Sequence, residues 1–322
     1  MHEEEETSPT GPPPVLQVDG QPLRRRLLVD ADAPAVLALV HDYDRAFYGE
    51  PLADLADLLA EWQAPGFDLA RDSLAYEDGD GLAAVGLLDP RGLVDVSTRG
   101  RWRGLGVEGL LLDELEARAR ARGLAETNAV VAAGDAAGAE RLQGRGYRLH
   151  HTSWILQLDP GAPVATRTLP AGYAVRPFRP EDAEAAFAVV LAAFGEWQTG
   201  PPRTFEDWTA EVLRRPGVDP SAFRVATYQG EVVGTCVVFD GEDEAWVSQL
   251  ATAREHRGRG VAQQLLAESY AAARQRGLLK GGLSTDTRTG ALDLYQRLGM
   301  RVLHTVHNWS LDLTAPAGPA AG

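Results

Sequence analysis

The spacing of apolar and polar residues changes in the same order along two long stretches, residues 23–159 and residues 173–313. Strand-like alternation is followed by helical spacing, then by more alternation and a second helix. Both stretches begin with a predicted strand that contains arginine, over 23–29 and 173–178. A helix with an acidic start follows, near Asp30 in the first and near Glu181 in the second. A later amphipathic helix ends at Arg-Gly in both, at 122–123 and 276–277. The pattern predicts an internal repeat of domain size.

Three segments interrupt this periodicity. Residues 1–22 are acidic and then rich in proline, with too little apolar content to pack, which predicts a disordered tail. Residues 160–172 contain repeated Pro and Gly, which predicts a linker between the two domains. Residues 314–322 again read as a disordered tail. The predicted domains are therefore residues 23–159 and 173–313.

A glycine turn joins the alternating stretch 244–250 to the helical stretch 261–276. Its sequence is Arg257-Gly258-Arg259-Gly260-Val261-Ala262. The first N–H groups of a helix have no partner within it, and the helix dipole places partial positive charge there. Glycine lets a pyrophosphate approach these amides closely. Taken alone, the six residues predict either a phosphate cradle or an ordinary strand-to-helix turn with solvated arginines.

A second motif follows about thirty residues later, a short helix over 290–300 with a single tyrosine, Tyr295, and a closing glycine, Gly299. The order of strand, R-G-x-G-x-A turn, helix, strand and A-x-x-x-Y-x-x-x-G resembles the GNAT superfamily of acyl-CoA-dependent N-acetyltransferases. The resemblance covers Tyr173 to about Leu313. It implies an α/β fold: two tandem GNAT domains, each a mostly antiparallel mixed sheet flanked by helices.

The resemblance also implies a set of site residues for the C-terminal repeat. The glycine turn would bind the pyrophosphate of acetyl-CoA, the preceding strand would bind the pantetheine arm, and a strand amide near Leu250 would polarise the thioester carbonyl. Tyr295 would protonate the departing thiolate, although it is also interpretable as a packing aromatic. Thr287 stands where the family often has asparagine. The implied cofactor-binding residues are Leu250, Ala251, Thr252, Arg257, Gly258, Arg259, Gly260, Val261, Ala262 and Thr287.

The candidate general base is Glu244, at the start of the strand, where several members of the family carry their catalytic glutamate. Alternation places Glu244, Trp246, Ser248 and Leu250 on one face of that strand. The competing interpretation is a solvated acidic turn over 241–244. His304, His307 and Glu196 are the fallback candidates. No His, Cys and Asp cluster has the spacing of metal ligands, so we predict no metal.

The N-terminal repeat departs from the family at both motifs. Its turn, 103–108, ends in Glu108, whose carboxylate would compete with an anion for the turn amides. The position of Tyr295 is taken by Leu142 or Gln143, and neither side chain donates a proton as a phenol does. We therefore predict a degenerate, structural or substrate-shaping domain; loose CoA binding is the alternative.

The remaining expectations concern the acceptor and the compartment. The net charge of −15 disfavours nucleic acid and membrane partners and suits a small-molecule or peptide amine. Aromatic and acidic residues over 194–208 are the candidate acceptor-binding segment; the competing interpretation is that the Phe and Trp residues of these short helices belong to the core. The single cysteine, Cys236, lies in an apolar strand pattern, and the acidic start is unlike a signal peptide, so we expect a cytoplasmic protein, monomeric or homodimeric.

The predicted activity is acetyl-CoA-dependent N-acetylation by direct attack of an amine on the thioester in the C-terminal domain. The tandem layout resembles mycothiol synthase-like two-domain proteins and, equally, acetyltransferases that modify antibiotics. The alternative from another class is a CoA-binding or scaffolding protein without catalysis, because one repeat is degenerate. The intact Tyr295 and the intact glycine turn argue against that alternative.

Overall fold

A computed structural model describes residues 15–196 and 203–314. The chain divides into two compact units. Unit 1 consists of residues 1–150 and 306–322, and unit 2 consists of residues 151–305.

The elements of the first half of the chain alternate strands with helices. The strands are β1 (Val15–Val18), β2 (Gln21–Arg26), β3 (Ser73–Asp78), β4 (Gly81–Leu88), β5 (Leu93–Thr98) and β6 (Glu126–Ala132). The helices are α1 (Ala33–Phe47), α2 (Leu55–Trp62), α3 (Leu69–Asp72), α4 (Val107–Ala121) and α5 (Ala136–Gly144). Strand β7 (Arg148–Leu158) follows and lies mostly in unit 2.

The second half repeats this order. Its strands are β8 (Tyr173–Pro177), β9 (Arg224–Tyr228), β10 (Glu231–Asp240), β11 (Glu244–Thr252) and β12 (Lys280–Asp286). Its helices are α6 (Ala183–Phe194), α7 (Phe205–Trp208), which runs into a π-helical turn (Thr209–Leu213), α8 (Val261–Gln275) and α9 (Leu292–Arg297). The last strand is β13 (Met300–Asp312).

Each unit is built on one mixed sheet, as the sequence predicts. In unit 1 the order is β1-β2-β3-β4-β5-β6, antiparallel except for β5 and β6, and residues 306–312 of β13 pair antiparallel with β6. In unit 2 the order is β8-β9-β10-β11-β12, antiparallel except for β11 and β12, and residues 153–158 of β7 pair antiparallel with β12. The parallel pair is joined by a crossover helix in both units, α4 and α8.

The closing strands are exchanged relative to the order of the chain. The predicted domains, residues 23–159 and 173–313, give each repeat its own last strand, whereas the compact units take them the other way round. Segment 151–158 completes the sheet of unit 2, and segment 306–312 completes that of unit 1. Both segments carry similar alternation and a tryptophan, so the apolar pattern alone does not distinguish the two pairings.

The prediction of a disordered tail over residues 1–22 is wrong for residues 15–22. Residues 15–18 form β1, which pairs with β2 across the turn at Asp19-Gly20. Both turn residues have positive φ, 50° and 72°, the geometry that favours Asp-Gly in a two-residue hairpin. Residues 1–14 and 315–322 lie outside the described residues.

The repeat is visible at the start of each unit. The Arg26 guanidinium donates to both oxygens of Asp32, at 2.7 and 2.8 Å, and Arg176 donates to both oxygens of Asp182, each at 2.7 Å. Each carboxylate also accepts from a backbone N–H three residues earlier, at 2.8 Å. These bidentate pairs fix the entry into α1 and α6 in the same way.

The predicted linker, residues 160–172, packs along α8 of unit 2. Val164 is buried in the core of that unit. The carbonyl oxygens of Ala162 and Ala165 accept from Arg274 and, at 2.7 Å, from Gln263 Nε2. The Arg167 N–H donates to Gln264 Oε1 at 3.2 Å. The segment is therefore held on the helix that follows the glycine turn.

Candidate active site

Strands β11 and β12 separate part-way along their length. Their parallel ladder runs from the Glu244 and Lys280 pair to the Val247 and Leu283 pair, although β11 continues to Thr252. The cause is a bulge at Ser248, since Val237 of β10 pairs with Gln249 while Val238 pairs with Val247. A bulge bends its strand and interrupts pairing. The result is a wedge-shaped opening between the two strands of unit 2.

A cavity of about 680 Å³ occupies this opening, within the usual range for small-molecule sites. One wall is β11, and further lining residues come from the turn before α8, the end of β12, α9, the end of α6 and Arg167. The lining residues from the predicted site are Leu250, Ala251, Thr252, Arg257, Gly258, Gly260, Val261, Ala262 and Tyr295. The sequence motifs are thus brought together around one cavity.

The glycine turn has the geometry that its sequence predicts. Gly258 and Gly260 have φ of +74° and +84°, a region that favours glycine, and Gly260 is the N-cap of the fifteen-residue α8. A Cβ at Gly258 would meet nothing within 4 Å. The turn therefore faces open space at Gly258, and the start of α8 offers amides without helical partners and a dipole that favours an anion.

The arginines of the turn are held differently from one another. Arg257 donates to Glu196 Oε2 at 2.8 Å and, through Nε, to the Thr252 carbonyl oxygen at 3.1 Å. Arg259 points away from the cavity and donates to the Glu255 carbonyl oxygen. The hydrogen bond from Arg257 lowers the pKa of Glu196, which makes this fallback candidate a weaker base.

A second ion pair lies in the cavity at the end of β12. Arg288 Nη2 donates to Asp286 Oδ2 at 2.6 Å. Burial alone would raise the pKa of Asp286, but the side-chain and backbone hydrogen bonds from Arg288 outweigh it and lower that pKa. Asp286 therefore stays ionised at neutral pH, and it neutralises Arg288.

Tyr295 lines the cavity and is buried, with 8% of its surface exposed. Burial raises the pKa of its phenol because the charged phenolate is disfavoured away from water. Within residues 15–196 and 203–314, its hydroxyl has no hydrogen-bond partner. The phenol of Tyr295 is therefore neutral at physiological pH, and its hydroxyl faces the cavity without an acceptor among the described residues.

Glu244 lines neither this cavity nor the second cavity described below. Its Oε1 accepts from Gln157 Nε2 at 2.9 Å, and it stands four residues, about 13 Å, before the bulge at Ser248. Along β11, Glu244, Trp246 and Ser248 are half-buried while the intervening residues are buried, as the alternation predicts. His304 and His307 also line neither cavity.

Thr287 lies at the edge of β7 instead of in the cavity. Its N–H donates to the Thr152 carbonyl oxygen at 3.0 Å, and its Oγ1 accepts from the Thr152 N–H at 3.4 Å. These contacts extend the pairing of β12 with β7 by one residue. The lining contains the neighbouring residues Asp286, Arg288 and Thr289.

A second cavity of about 560 Å³ adjoins the first, and Ser248 and Phe194 line both. Its walls come from α6, the π-helical turn and the outer face of β10 and β11. The aromatic lining residues are Phe187, Phe194, Trp208 and Phe239. Of the predicted acceptor-binding segment, residues 197–202 lie outside the described residues.

Several polar groups of the second cavity are paired with one another. The Trp208 indole N–H donates to Gln249 Oε1 at 2.9 Å, and Arg203 pairs with Glu211 at 2.9 Å. The Arg215 guanidinium lies 4.8 Å from the Phe239 ring centroid, a cation–π contact. The cavity therefore combines aromatic walls with polar and charged side chains.

The corresponding turn in unit 1 is occupied by its own side chain. Glu108 is buried, and its Oε1 accepts from the Gly104 N–H at 3.0 Å. Its Oε1 also lies 3.8 Å from Arg141 Nη2. The carboxylate thus takes up an amide that a phosphate would need, as the sequence predicts.

An aromatic side chain fills the strand opening of unit 1. The ladder between β5 and β6 ends at Val94 and Ala129, and the Tyr43 hydroxyl accepts from the Ala132 N–H at 2.9 Å. The Arg103 guanidinium lies 5.7 Å from the Tyr43 ring centroid. Helix α1 therefore places a bulky residue at the end of β6, beside the turn.

Sequence reasoning missed several lining residues. His256, whose Nδ1 lies 2.7 Å from the Tyr173 hydroxyl, lines the first cavity together with Arg167, Asp286 and Arg288. The signal for Asp286 was its position at the end of a predicted strand. No sequence pattern indicates the bulge at Ser248 or the approach of Arg167.

The sequence profile of the acetyltransferase (GNAT) family matches residues 182–300, most of unit 2. Unit 2 contains a GNAT acetyltransferase domain. No curated protein sequence matches the chain. None of the described helices is long and apolar enough to cross a bilayer, and the described residues hold no cluster of three His, Cys, Asp or Glu side chains suited to a metal ion.

Solved structures extend the GNAT fold over 92% of the chain. A GCN5-related N-acetyltransferase from Sphaerobacter thermophilus is 29% identical, with a TM-score of 0.78, over 92% of this chain and 97% of that one. A tandem GNAT protein from the clavulanic acid biosynthesis pathway is 16% identical, with a TM-score of 0.68, over 92% and 100% of the two chains. The predicted architecture of two tandem GNAT domains is confirmed.

Proposed function

We propose that unit 2 transfers an acetyl group from acetyl-CoA to the amine of a small molecule or peptide. The observation that carries the proposal is the convergence of the opened β11 edge, the glycine turn and Tyr295 on one cavity. The membership of unit 2 in the acetyltransferase family supports the same reaction class.

The residues present fit acetyl-CoA. The free amides at Gly258 and Gly260 and the dipole of α8 suit a pyrophosphate, and Gly258 leaves room for it. The wedge beside Leu250 and Thr252 suits an extended pantetheine arm, since β11 has no strand partner on that side beyond Val247. When bound, acetyl-CoA supplies the activated acyl group.

The chain's own groups then have separate tasks. A backbone N–H of β11 near Leu250 polarises the carbonyl as negative charge develops on its oxygen. The amine nitrogen forms a bond to the carbonyl carbon, and the carbon–sulfur bond breaks. The amine loses one proton, and Tyr295 gives one proton to the leaving thiolate.

Glu244 remains the proposed base. Because it lies about 13 Å along β11 from Ser248, it would receive the amine proton through water. Its placement on the same face of the strand as Ser248 supports a path along that face.

The second cavity is the proposed acceptor site. It meets the cofactor cavity at Ser248 and Phe194, so an amine placed there would approach the thioester from the bulge. Its aromatic walls favour an acceptor with a flat or apolar body, and its charged side chains suit a polar end.

The test is a screen of amines with acetyl-CoA that records release of free thiol and acetylation of the amine by mass. Apolar and aromatic amines should give thiol release matched by acetylated product. Thiol release at the buffer rate with every amine, or thiol release without acetylated product, would contradict the proposed reaction.

A further inference from the structure

Arg167 is the one cavity-lining residue contributed by the segment between β7 and β8. Its backbone is anchored on α8 by the hydrogen bond to Gln264, and Ala165 is anchored by Gln263. Val164 is buried in the core just before it. These contacts hold Arg167 at the start of α8, while its side chain is exposed.

The Arg167 side chain rests on the glycine turn. A Cβ built at Gly260 would lie 2.7 Å from Arg167 Cδ, 3.3 Å from Cγ and 3.5 Å from Nε. A Cβ at Gly258 would meet nothing within 4 Å, so the contact is specific to the residue that caps α8. The guanidinium is therefore held next to the amides that face the proposed pyrophosphate position.

The charge balance of the cavity leaves Arg167 available for an anion. Arg257 is neutralised by Glu196, and Arg288 is neutralised by Asp286. In the described part of the chain, neither the Arg167 guanidinium nor that of Arg297, which lines the cavity at the end of α9, has a carboxylate partner; of the two, Arg167 is the one that contacts Gly260. An arginine beside a phosphate site forms bidentate, charge-assisted hydrogen bonds with phosphate oxygens.

We propose that Arg167, held beside the glycine turn by the anchored segment 160–172, binds a phosphate of the acyl-CoA co-substrate. The inference rests on the proposed function. The ligand is either the pyrophosphate or the 3′-phosphate, which share the same chemistry. The segment that separates the two repeats in sequence is then part of the cofactor site.

The experiment measures the affinity for acetyl-CoA and the steady-state constants of full-length wild type, Arg167→Ala and Arg167→Lys. Arg179→Ala is the control, because Arg179 is an exposed arginine of the same unit that lines neither cavity. Loss of a hydrogen bond to a charged group predicts a roughly tenfold weaker Kd and higher KM for acetyl-CoA in Arg167→Ala. The value of kcat at saturating acetyl-CoA should stay at the wild-type level, and Arg167→Lys should be intermediate.

Acetyl-dephospho-CoA separates the two phosphates. The ratio of the Kd of Arg167→Ala to that of wild type is measured with acetyl-CoA and with this analogue. The same ratio for both ligands supports contact with the pyrophosphate. A ratio that falls to one with the analogue supports contact with the 3′-phosphate. Wild-type affinity in Arg167→Ala, or an equal loss in Arg179→Ala, would overturn the inference. Absence of acetyl-CoA binding in the wild type would instead refute the proposed function, so the two failures are distinguishable.

Discussion

Replacing Tyr295 with phenylalanine isolates the proposed proton donor. The hydroxyl has no acceptor among the described residues, so its removal leaves no buried partner unsatisfied. The ring fills the same space between α9 and the core. We therefore expect the free energy of unfolding to change by less than about 1 kcal/mol. Any large loss of activity must then come from the chemistry.

The expected loss follows from the burial of Tyr295. A general acid contributes roughly 10²- to 10⁴-fold to a rate, about 3 to 5 kcal/mol of barrier. Burial raises the pKa of this phenol, which makes complete transfer of its proton less favourable. We therefore expect the lower end of the range, a fall in kcat of about 10²-fold. Binding of acetyl-CoA should persist.

The assay is thiol release under saturating acetyl-CoA, with Tyr270→Phe as the matched control. Tyr270 is buried in the same unit, but its hydroxyl donates to the Gly282 carbonyl oxygen at 3.0 Å and it lines neither cavity. This control should lose stability and keep kcat. Wild-type kcat in Tyr295→Phe would refute the assignment of Tyr295 as the acid.

Burial also fixes the sign of the pH dependence. Because the pKa of Tyr295 is raised, the phenol stays protonated at every pH below its ordinary value of about 10. The wild-type profile of kcat should therefore show no alkaline decline from this group below about pH 10. A decline near pH 8 that disappears in Tyr295→Phe would contradict the raised pKa.

Three further predictions concern the base, the first unit and the strand exchange. Glu244→Gln should lower kcat/KM by about 10²-fold because an amide cannot accept the amine proton, whereas a wild-type kcat/KM would place the base elsewhere. Glu108→Gly should create no second acetyl-CoA site in calorimetry, because Tyr43 still fills the opening of β6; a new site of similar affinity would contradict this. A chain that begins at Pro170 should be less soluble than one that spans 151–305, because it lacks the segment of β7 that pairs with β12. Equal solubility of the two chains would count against the exchange of closing strands between the repeats.

The sequence was informative wherever a local pattern determines local structure. The glycine turn, the start of α8 and the alternation along β11 are all present because backbone freedom and side-chain period act over a few residues. The bidentate pairs at Asp32 and Asp182 bear out the repeat itself.

What the sequence did not predict depends on contacts between distant segments. The closing strands carry nearly the same pattern, so pairing of 151–158 with β12 is decided by the tertiary fold. Arg167 lies in a Pro- and Gly-rich segment that reads as a linker, and only its anchoring on α8 brings it to Gly260. Thr287 lies beside β7 because its Oγ1 accepts from the Thr152 N–H, and the spacing of residues in the sequence does not predict this contact.

The most direct test of the central claim is the stoichiometry of acetyl-CoA in calorimetry, measured on wild type, Gly260→Asp and Gly106→Asp. Both glycines cap the crossover helix of their unit with positive φ, so the two variants add the same charge at similarly strained positions, and Gly260→Asp also displaces the Arg167 side chain. We predict one acetyl-CoA per wild-type chain, no binding in Gly260→Asp, and one per chain in Gly106→Asp. Two per wild-type chain, or retained binding in Gly260→Asp, would contradict a single cofactor site in unit 2.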